Sequence, residues 1–163
     1  MRCLAGIAIL LILAGCSRDD LSYVSIRNDT GIPIYALPYA SDFTEGDWIE
    51  PGATNEFYSI ACDCLDGYKY FSYYYDSLIV YVKDLEKLPV KFYKNGKTVN
   101  YDPTLNPFTN PDMWQSHEFE QNLKTSNFEG TEKKHILEHF FPIDADKIKS
   151  LNDTLRYQLN PAS

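Results

Sequence analysis

The sequence predicts a mainly β protein, a single antiparallel β-sandwich with one short helix near the C-terminus. Three observations predict this class. Apolar and polar residues alternate with a period of two through much of the chain, long helical periodicity is scarce, and turn-forming residues separate the segments at short intervals. Roughly seven to nine short strands with such spacing are typical of a sandwich. The aromatic fraction of 15% argues against disorder, because disordered chains lack the apolar area that folding buries.

The first predicted strands are joined by short turns. Tyr23 to Arg27 alternates and ends in an Asn-Asp-Thr-Gly cluster, and Ile32 to Leu37 follows, so the pair is predicted as a hairpin. Pro33 has no N–H to donate, so the second strand starts late or lies at a sheet edge. Pro51-Gly52 suits the centre of a type II turn, and Thr54 to Ala61 is the next predicted strand.

The middle of the chain contains its most aromatic and most hydrophobic segments. Tyr68 to Tyr75 is rich in tyrosine, which favours a half-buried strand. Leu78 to Val82 is a continuous apolar run and is predicted as a central strand buried on both faces. Val90 to Lys94 and Lys97 to Tyr101 flank Asn95-Gly96, which predicts a hairpin with a type I′ turn and positive φ at both turn residues.

The last third is less regular. Residues 102–112 contain three prolines and are predicted as a loop, while the segment from Trp114 to Leu123 fits either a strand or one or two helical turns. His135 to Phe141 is predicted as a strand. Asp144 suits the N-cap of the short helix, and alternation in Asp153 to Leu159 predicts a final strand.

Charge and motifs exclude several classes of function. The chain has 15 Lys plus Arg against 23 Asp plus Glu, a net charge of −8, which argues against nucleic-acid binding because phosphates require basic groups. The sequence contains no phosphate loop, dinucleotide fingerprint or Gly-x-Ser-x-Gly elbow, and we expect no cofactor. Among so many carboxylates, no pair stands out as a general acid and base, so an enzyme is not the expected class.

The N-terminus predicts export. Leu4 to Ala14 is apolar and follows Arg2, but the run is shorter than the ~20 residues that span a bilayer and is typical of a signal peptide. It ends in Leu13-Ala14-Gly15-Cys16. This tetrapeptide resembles the bacterial lipoprotein signal, in which the cysteine receives a diacylglyceryl group and becomes the new N-terminus. The predicted organisation is a signal peptide 1–15, a lipidated tether 16–22 and a β-sandwich domain 23–160.

The residues after the cysteine indicate where the lipoprotein resides. Ser17-Arg18-Asp19-Asp20 resembles the acidic surface-export signal of Bacteroidota lipoproteins, and Ser17 differs from the Asp that marks inner-membrane retention. The chain resembles the small outer-membrane lipoproteins of this phylum, a resemblance that Asp76 to Val82 and the block from Ile136 to Leu159 also carry. The resemblance implies an outer-membrane, surface-exposed protein that contacts the membrane through the Cys16 lipid; it implies no activity.

Two motifs contain residues that bind metals. His135-Ile136-Leu137-Glu138-His139 has the spacing of one metalloprotease group, but that chemistry needs a helix, which Pro142 would end. In a strand, His135 and His139 share one face and are only weak metal candidates. Cys62-Asp63-Cys64 allows a strained local disulfide, which we favour in an exported chain, separate thiols, or a soft-metal pair.

Several aromatic residues are candidate ligand contacts. Trp48, Tyr39 and Phe43 surround one acidic loop, and Trp114 lies in another. Aromatic rings beside carboxylates suit stacking on sugars, and Tyr and Trp are also enriched at protein interfaces. The leading hypothesis is a non-enzymatic binding or accessory subunit of an envelope complex, whose partner is another envelope protein. The alternative is a surface glycan-binding module.

Two hydroxyl groups are candidate modification sites. Asp76-Ser77-Leu78 and Asp153-Thr154-Leu155 resemble the Asp-Ser/Thr-apolar acceptors of Bacteroidota O-glycosylation, which makes Ser77 and Thr154 candidates.

Overall fold

The computed structural model describes residues 20–41, 44–60, 67–83, 89–124 and 131–149. The strands in these ranges are β1 Asp20–Asn28, β2 Ile34–Tyr39, β3 Asp47–Ile49, β4 Thr54–Ile60, β5 Ser77–Val82, β6 Val90–Tyr93, β7 Thr98–Val99, β8 Gln115–Lys124 and β9 Thr131–Ile143. Helix α1 is Gly67–Tyr74, and 3₁₀ turns span Pro111–Met113 and Ala145–Lys147. The mainly β class is therefore confirmed. The predicted last strand, 153–159, lies outside the described residues.

The strands form two sheets that share one core. One sheet has four strands in the order β4-β1-β9-β8, and the other has five in the order β3-β2-β5-β6-β7. Inward side chains of both sheets belong to one buried cluster, in which the rings of Phe92 and Phe141 are 5.6 Å apart. Strand β5 is central in its sheet, as predicted, but its burial alternates, with Ile79 and Tyr81 only half-buried.

The expectation of purely antiparallel pairing is wrong at one position. Strands β1 and β9 run parallel, with Asp20 opposite His135 and Asn28 opposite Ile143. All other strand pairs in the described residues are antiparallel. A parallel pair needs a crossover rather than a tight turn, and here most of the chain forms that connection. Strand β1 also begins at Asp20, inside the stretch predicted as tether.

The predicted hairpin between the first two strands is also wrong, because the chain changes sheets after β1. Asn28 is fully buried at this crossover. Its Nδ2 donates to the carbonyls of Ile32 and Ile49 at 2.9 and 2.8 Å, and its Oδ1 accepts from the N–H and hydroxyl of Thr30. The side chain thus replaces the backbone pairing of a hairpin. Strand β2 starts just after Pro33, as predicted.

The tyrosine-rich segment is a helix, not the predicted strand, and this α-helix lies in the middle of the chain. In a strand, neighbouring rings would point to opposite sheet faces, whereas a helix brings residues four apart together. Phe71 is thereby buried, and Tyr70 and Tyr74 both pack on Tyr58 of β4, with ring centroids 4.7 and 5.1 Å away. Tyr73 faces solvent and is 77% exposed. These contacts outweigh the strand propensity of tyrosine.

The helix predicted near the C-terminus is a single 3₁₀ turn in the described part of the chain. Asp144 caps it as expected, because its Oδ1 accepts from the N–H of Asp146 at 2.9 Å. The Ile148 N–H then donates to the Ala145 carbonyl, and Ile148 bridges to Tyr101 instead of continuing a helix.

Two glycine turns test the predicted loop geometry. Gly52 has φ +76°, and the Ala53 N–H donates to the Glu50 carbonyl, which fits the predicted type II turn. At Asn95-Gly96 the hairpin is correct but type I′ is wrong, because Gly96 has φ +87° while Asn95 is not in the left-handed region. The Gly96 N–H bonds back to Tyr93, as in a type I turn followed by a glycine bulge.

Candidate functional site

Each sheet has an outer face because side chains alternate along its strands. On the five-stranded sheet we call this surface the aromatic face, formed by Tyr35, Leu37, Trp48, Ile79, Tyr81 and Lys91. Cross-strand pairing places Tyr35 opposite both Trp48 and Tyr81, and places Ile79 opposite both Leu37 and Lys91. Trp48 is 50% exposed and the other five are half-buried. Of the described residues, Gly46 lies against this surface, over Tyr35 and Leu37.

Tyr35 is at the centre of the aromatic face. Its ring centroid is 5.5 Å from that of Trp48 at an interplanar angle of 59°, and 6.5 Å from that of Tyr81 at 48°. Gly46 lies over this ring, since a Cβ at position 46 would be 2.7 Å from Tyr35 and 2.8 Å from Leu37. The rings therefore form a ridged surface rather than a flat one.

Charge changes sign across this sheet. Lys91 lies on the face itself, and Lys97 places its Nζ 5.8 Å from the centre of the Tyr93 ring beside it. At the opposite edge, Glu45 and Asp47 are exposed. A partner of this surface would therefore meet cations at the β6 side, whereas Glu45 and Asp47 line a cleft towards β4.

The outer face of the four-stranded sheet carries what we call the polar groove. Two adjoining clefts of about 290 and 390 Å³ form it, and both are lined by Thr54, His117 and Glu138. Tyr23 and Glu56 line the first cleft and Arg27 lines the second. Register explains this assembly, because Glu138 of β9 lies opposite Tyr23 of β1 on one side and opposite His117 of β8 on the other.

Electrostatic interactions in the polar groove centre on Glu138. This residue is 6% exposed, and its Oε2 lies 3.5 Å from His117 Nδ1. Burial, and then the carboxylates of Glu56 and Glu138, raise the pKa of Tyr23 above its ordinary value. Arg27 makes a bidentate pair with Asp29 at 2.7 Å, so its charge is already engaged.

A third cleft, of about 400 Å³, opens between β3 and β4. Glu45, Asp47 and Glu56 line it together with Tyr75. All three carboxylates are exposed and therefore remain solvated, and the Tyr75 hydroxyl donates to the Phe57 carbonyl at 3.2 Å. Its polar groups are thus satisfied without a ligand.

The structure separates the aromatic residues that the sequence suggested as one set. Trp48 and Tyr39 both lie on the outer side of the five-stranded sheet, but Tyr39 is four residues along β2 from the Tyr35 that pairs with Trp48, about 13 Å away. Trp114 is elsewhere and half-buried, with its Nε1 donating to the Pro107 carbonyl and its ring against Phe71. Phe43 lies outside the described residues.

The histidines of β9 are too far apart to bind one ion. His135 and His139 share a strand face, but four residues of strand separate them by about 13 Å. His135 Nε2 lies 3.5 Å from Glu118 Oε2, and His139 packs beneath Gly67 of α1. Across the described ranges, no group of three His, Cys, Asp or Glu side chains has the geometry of a metal site.

The remaining predicted sites are only partly in view. Ser77 begins β5 between Tyr39 and Tyr93 and is 8% exposed, so a glycan there would have to be attached before the sheet forms. Cys16, Cys62, Cys64 and Thr154 lie outside the described residues.

Sequence reasoning missed Tyr35, Tyr81, His117 and Glu138 as members of surface sites. Alternation already placed Tyr35 and Tyr81 in strands, so their outward direction was a usable signal. His117 lay in the segment of ambiguous structure, and Glu138 appeared only inside a discounted metalloprotease pattern. The contact between His117 and Glu138 follows from the register of β8 with β9, which no local pattern in the sequence indicates.

Comparison with protein-family models, with curated proteins and with solved structures returned no match. Within the described residues, every helix is too short or too polar to cross a membrane.

Proposed function

We propose that this chain is a lipid-anchored β-sandwich of the outer membrane that acts as a non-enzymatic binding subunit of an envelope complex. The aromatic face is the surface that contacts the partner protein. The observation that carries the proposal is the outward row of Trp48, Tyr35 and Tyr81 beside Leu37 and Ile79. Tyr and Trp bury much area at low entropic cost and are enriched among the residues that dominate binding energy.

Ring geometry favours a protein over a glycan chain. A row of sugars stacks best on rings that lie in one plane, whereas these rings are inclined by 59° and 48° to each other. Side chains of a protein partner can fill such ridges. Lys91 then selects a partner with a carboxylate opposite it, because an unpaired charge in a buried interface is costly.

The proposed anchor keeps the domain close to the membrane. Residues 17–19 are all that separate Cys16 from Asp20, the first residue of β1. Four residue steps reach at most about 14 Å, so a lipid on Cys16 would keep the domain at the bilayer surface. An envelope protein that is itself embedded in or bound to the outer membrane is the partner that this short distance suits.

The test begins with purification of the anchored protein from native membranes in mild detergent. We expect a reproducible partner, and Tyr35→Ala, Trp48→Ala or Tyr81→Ala should each weaken its binding by ~30-fold or more, as for residues at the centre of an interface. Tyr73→Ala is the matched control, because this tyrosine is 77% exposed but lies on α1. Recovery of a lone monomer, or equal losses for Tyr73→Ala, would contradict the proposal.

The alternative, a surface glycan-binding module, rests on Trp48 alone. Its ring is half-exposed at the sheet edge, and the backbone N–H of Trp48 donates to the adjacent Asp47 carboxylate at 2.8 Å. Binding to a glycan panel that Trp48→Ala abolishes without unfolding would favour this function over protein docking.

A further inference from the structure

Glu138 is buried where burial is unexpected. It points away from the core, on the outer face of β9, yet only 6% of its surface is exposed to solvent. Its neighbours on that face, Ile136 and Phe140, are covered as well. A carboxylate removed from water loses a large hydration energy, and protein structures compensate this loss with hydrogen bonds or an opposite charge.

The described part of the chain compensates Glu138 only weakly. Its one ion pair joins Oε2 to His117 Nδ1 at 3.5 Å, longer than the ~2.7–3.2 Å of a good hydrogen bond, and the His117 side chain is 55% exposed. Among the described residues the guanidinium is that of Arg27, which is held by Asp29 and stacks over Phe140 at 4.2 Å. No described residue donates another hydrogen bond to Glu138.

A second polar group in the same place also has incomplete partners. Ser25 lies on the outer face of β1, opposite Phe140 on β9 and Glu56 on β4, and is fully buried. Its hydroxyl has no hydrogen-bond partner within the described ranges. The outer face beneath the polar groove thus contains two buried oxygen-bearing side chains with incomplete hydrogen bonding, and of these Glu138 lines both clefts.

The walls of the polar groove suit a positively charged group. Rings of Tyr23 and Phe119 line one cleft and that of Phe140 the other, and aromatic faces attract cations. Glu56 adds a second carboxylate at the rim. The two clefts, of about 290 and 390 Å³, are sized for a side chain or a small amine rather than a large cofactor.

We propose that the polar groove binds an ammonium or guanidinium group, which pairs with the Glu138 carboxylate while its alkyl chain packs beside Tyr23 and Phe119. The group belongs either to a small amine or to a Lys or Arg side chain of a bound protein. This site lies on the opposite sheet from the aromatic face and stands independently of the proposed docking function.

The test is a titration of the detergent-purified full chain with ethylguanidinium and, as an uncharged molecule of the same shape, ethylurea. Binding is followed through NMR shifts of His117 and its neighbours. We expect saturable binding of ethylguanidinium and at least tenfold weaker binding of ethylurea. Equal binding of both, or no saturation by either, would overturn the proposal.

Variants identify the carboxylate. Glu138→Gln keeps the side-chain shape and should lower the ethylguanidinium affinity at least tenfold, whereas Glu118→Gln, on the neighbouring strand and 66% exposed, should leave it unchanged. Circular dichroism checks that both variants are folded. Retained affinity in folded Glu138→Gln would refute the assignment.

Tighter binding of an acetylated Gly-Arg-Gly amide than of spermidine would identify a protein side chain as the source of the cation. The reverse order of affinities would identify a free amine.

Discussion

The outer face of the five-stranded sheet carries three aromatic rings, two aliphatic side chains and Lys91, whereas the outer face of the four-stranded sheet surrounds the buried carboxylate of Glu138. Both faces are produced by the same alternation along β-strands above one common core. The aromatic face offers apolar area with little directionality, which suits docking of a large surface. The polar groove offers one buried, directed charge in a small volume, which suits a single chemical group.

The two faces also differ in how burial is distributed. Five of the six residues of the aromatic face are half-buried, so no single side chain dominates it. In the polar groove, burial rises steeply from the exposed Glu56 at the rim to Glu138 at 6%. Substitutions at several residues of the aromatic face should therefore each weaken partner binding, whereas in the polar groove the loss of ligand affinity should be largest at Glu138.

The largest expected effect comes from the crossover that joins the two sheets. Asn28→Ala removes four hydrogen bonds and takes the Asn28 donor from the Ile32 and Ile49 carbonyls, although Ile32 keeps the Thr30 hydroxyl, and should lower the free energy of unfolding by about 3 kcal/mol. Urea denaturation followed by both Trp fluorescence and NMR signals of His117 measures this loss. The two probes should report one shared transition.

Asp29→Ala is the control for this change. Asp29 pairs with Arg27, but both side chains are about one-third exposed, so the effect should stay under about 1 kcal/mol. Separate unfolding transitions for the two probes in Asn28→Ala would show that the two sheets unfold as independent units, contrary to this prediction.

Smaller effects should distinguish the glycines at the rims of the two faces. Gly46→Ala places a Cβ against Tyr35 and Leu37, so the ring must move, and we expect a loss of ~1–2 kcal/mol with altered Trp48 fluorescence. Gly52→Ala, beside the polar groove, meets no atom within 4 Å but is strained at φ +76°, which costs about 1 kcal/mol. An unchanged Trp48 signal in Gly46→Ala would contradict the close packing of this loop.

A further small effect on the free energy of unfolding concerns Tyr101 in the shared core and depends on pH. Burial raises the pKa of Tyr101, whose hydroxyl accepts a hydrogen bond from the Asp144 N–H at 3.0 Å. The folded protein keeps this proton while the unfolded chain releases it near pH 10, so stability is unaffected below that pH and falls above it. Tyr101→Phe should cost about 1 kcal/mol at pH 7 but flatten the alkaline decline, measured by urea denaturation at each pH. If stability falls equally above pH 10 in the wild type and in Tyr101→Phe, groups other than Tyr101 cause the fall.

Local signals in the sequence placed much of the fold. Local patterns, such as the continuous apolar run of β5, located β4 and β5 to within a residue, and Pro51-Gly52 gave the correct turn, because neighbouring residues determine these features. Helix α1 was missed because its tyrosines favour a strand locally, and only packing against Tyr58 and the core shows why they are helical. The contacts that make this segment helical come from residues distant in the sequence.

The candidate sites were less predictable for the same physical reason. Exposed Trp48 was identified from its residue type and its acidic neighbours. Glu138 was not, because its burial depends on Tyr23 and His117, which reach it only through the pairing of β9 with β1 and β8. An aromatic residue type is enough to suggest a binding contact such as Trp48. The small number of hydrogen-bond partners around Glu138, by contrast, depends on how three strands pair.

The parallel pairing of β1 with β9 has a consequence for the order of folding. The five-stranded sheet is built from residues 34–99, which are close in sequence, so its loops close at low entropic cost. Strand β1 is synthesised first but has one edge open until β9 arrives, over a hundred residues later. Since such non-local pairing is slow, the four-stranded sheet is the late-folding half. An open edge recruits other strands, so chains truncated before β9 should aggregate through β1.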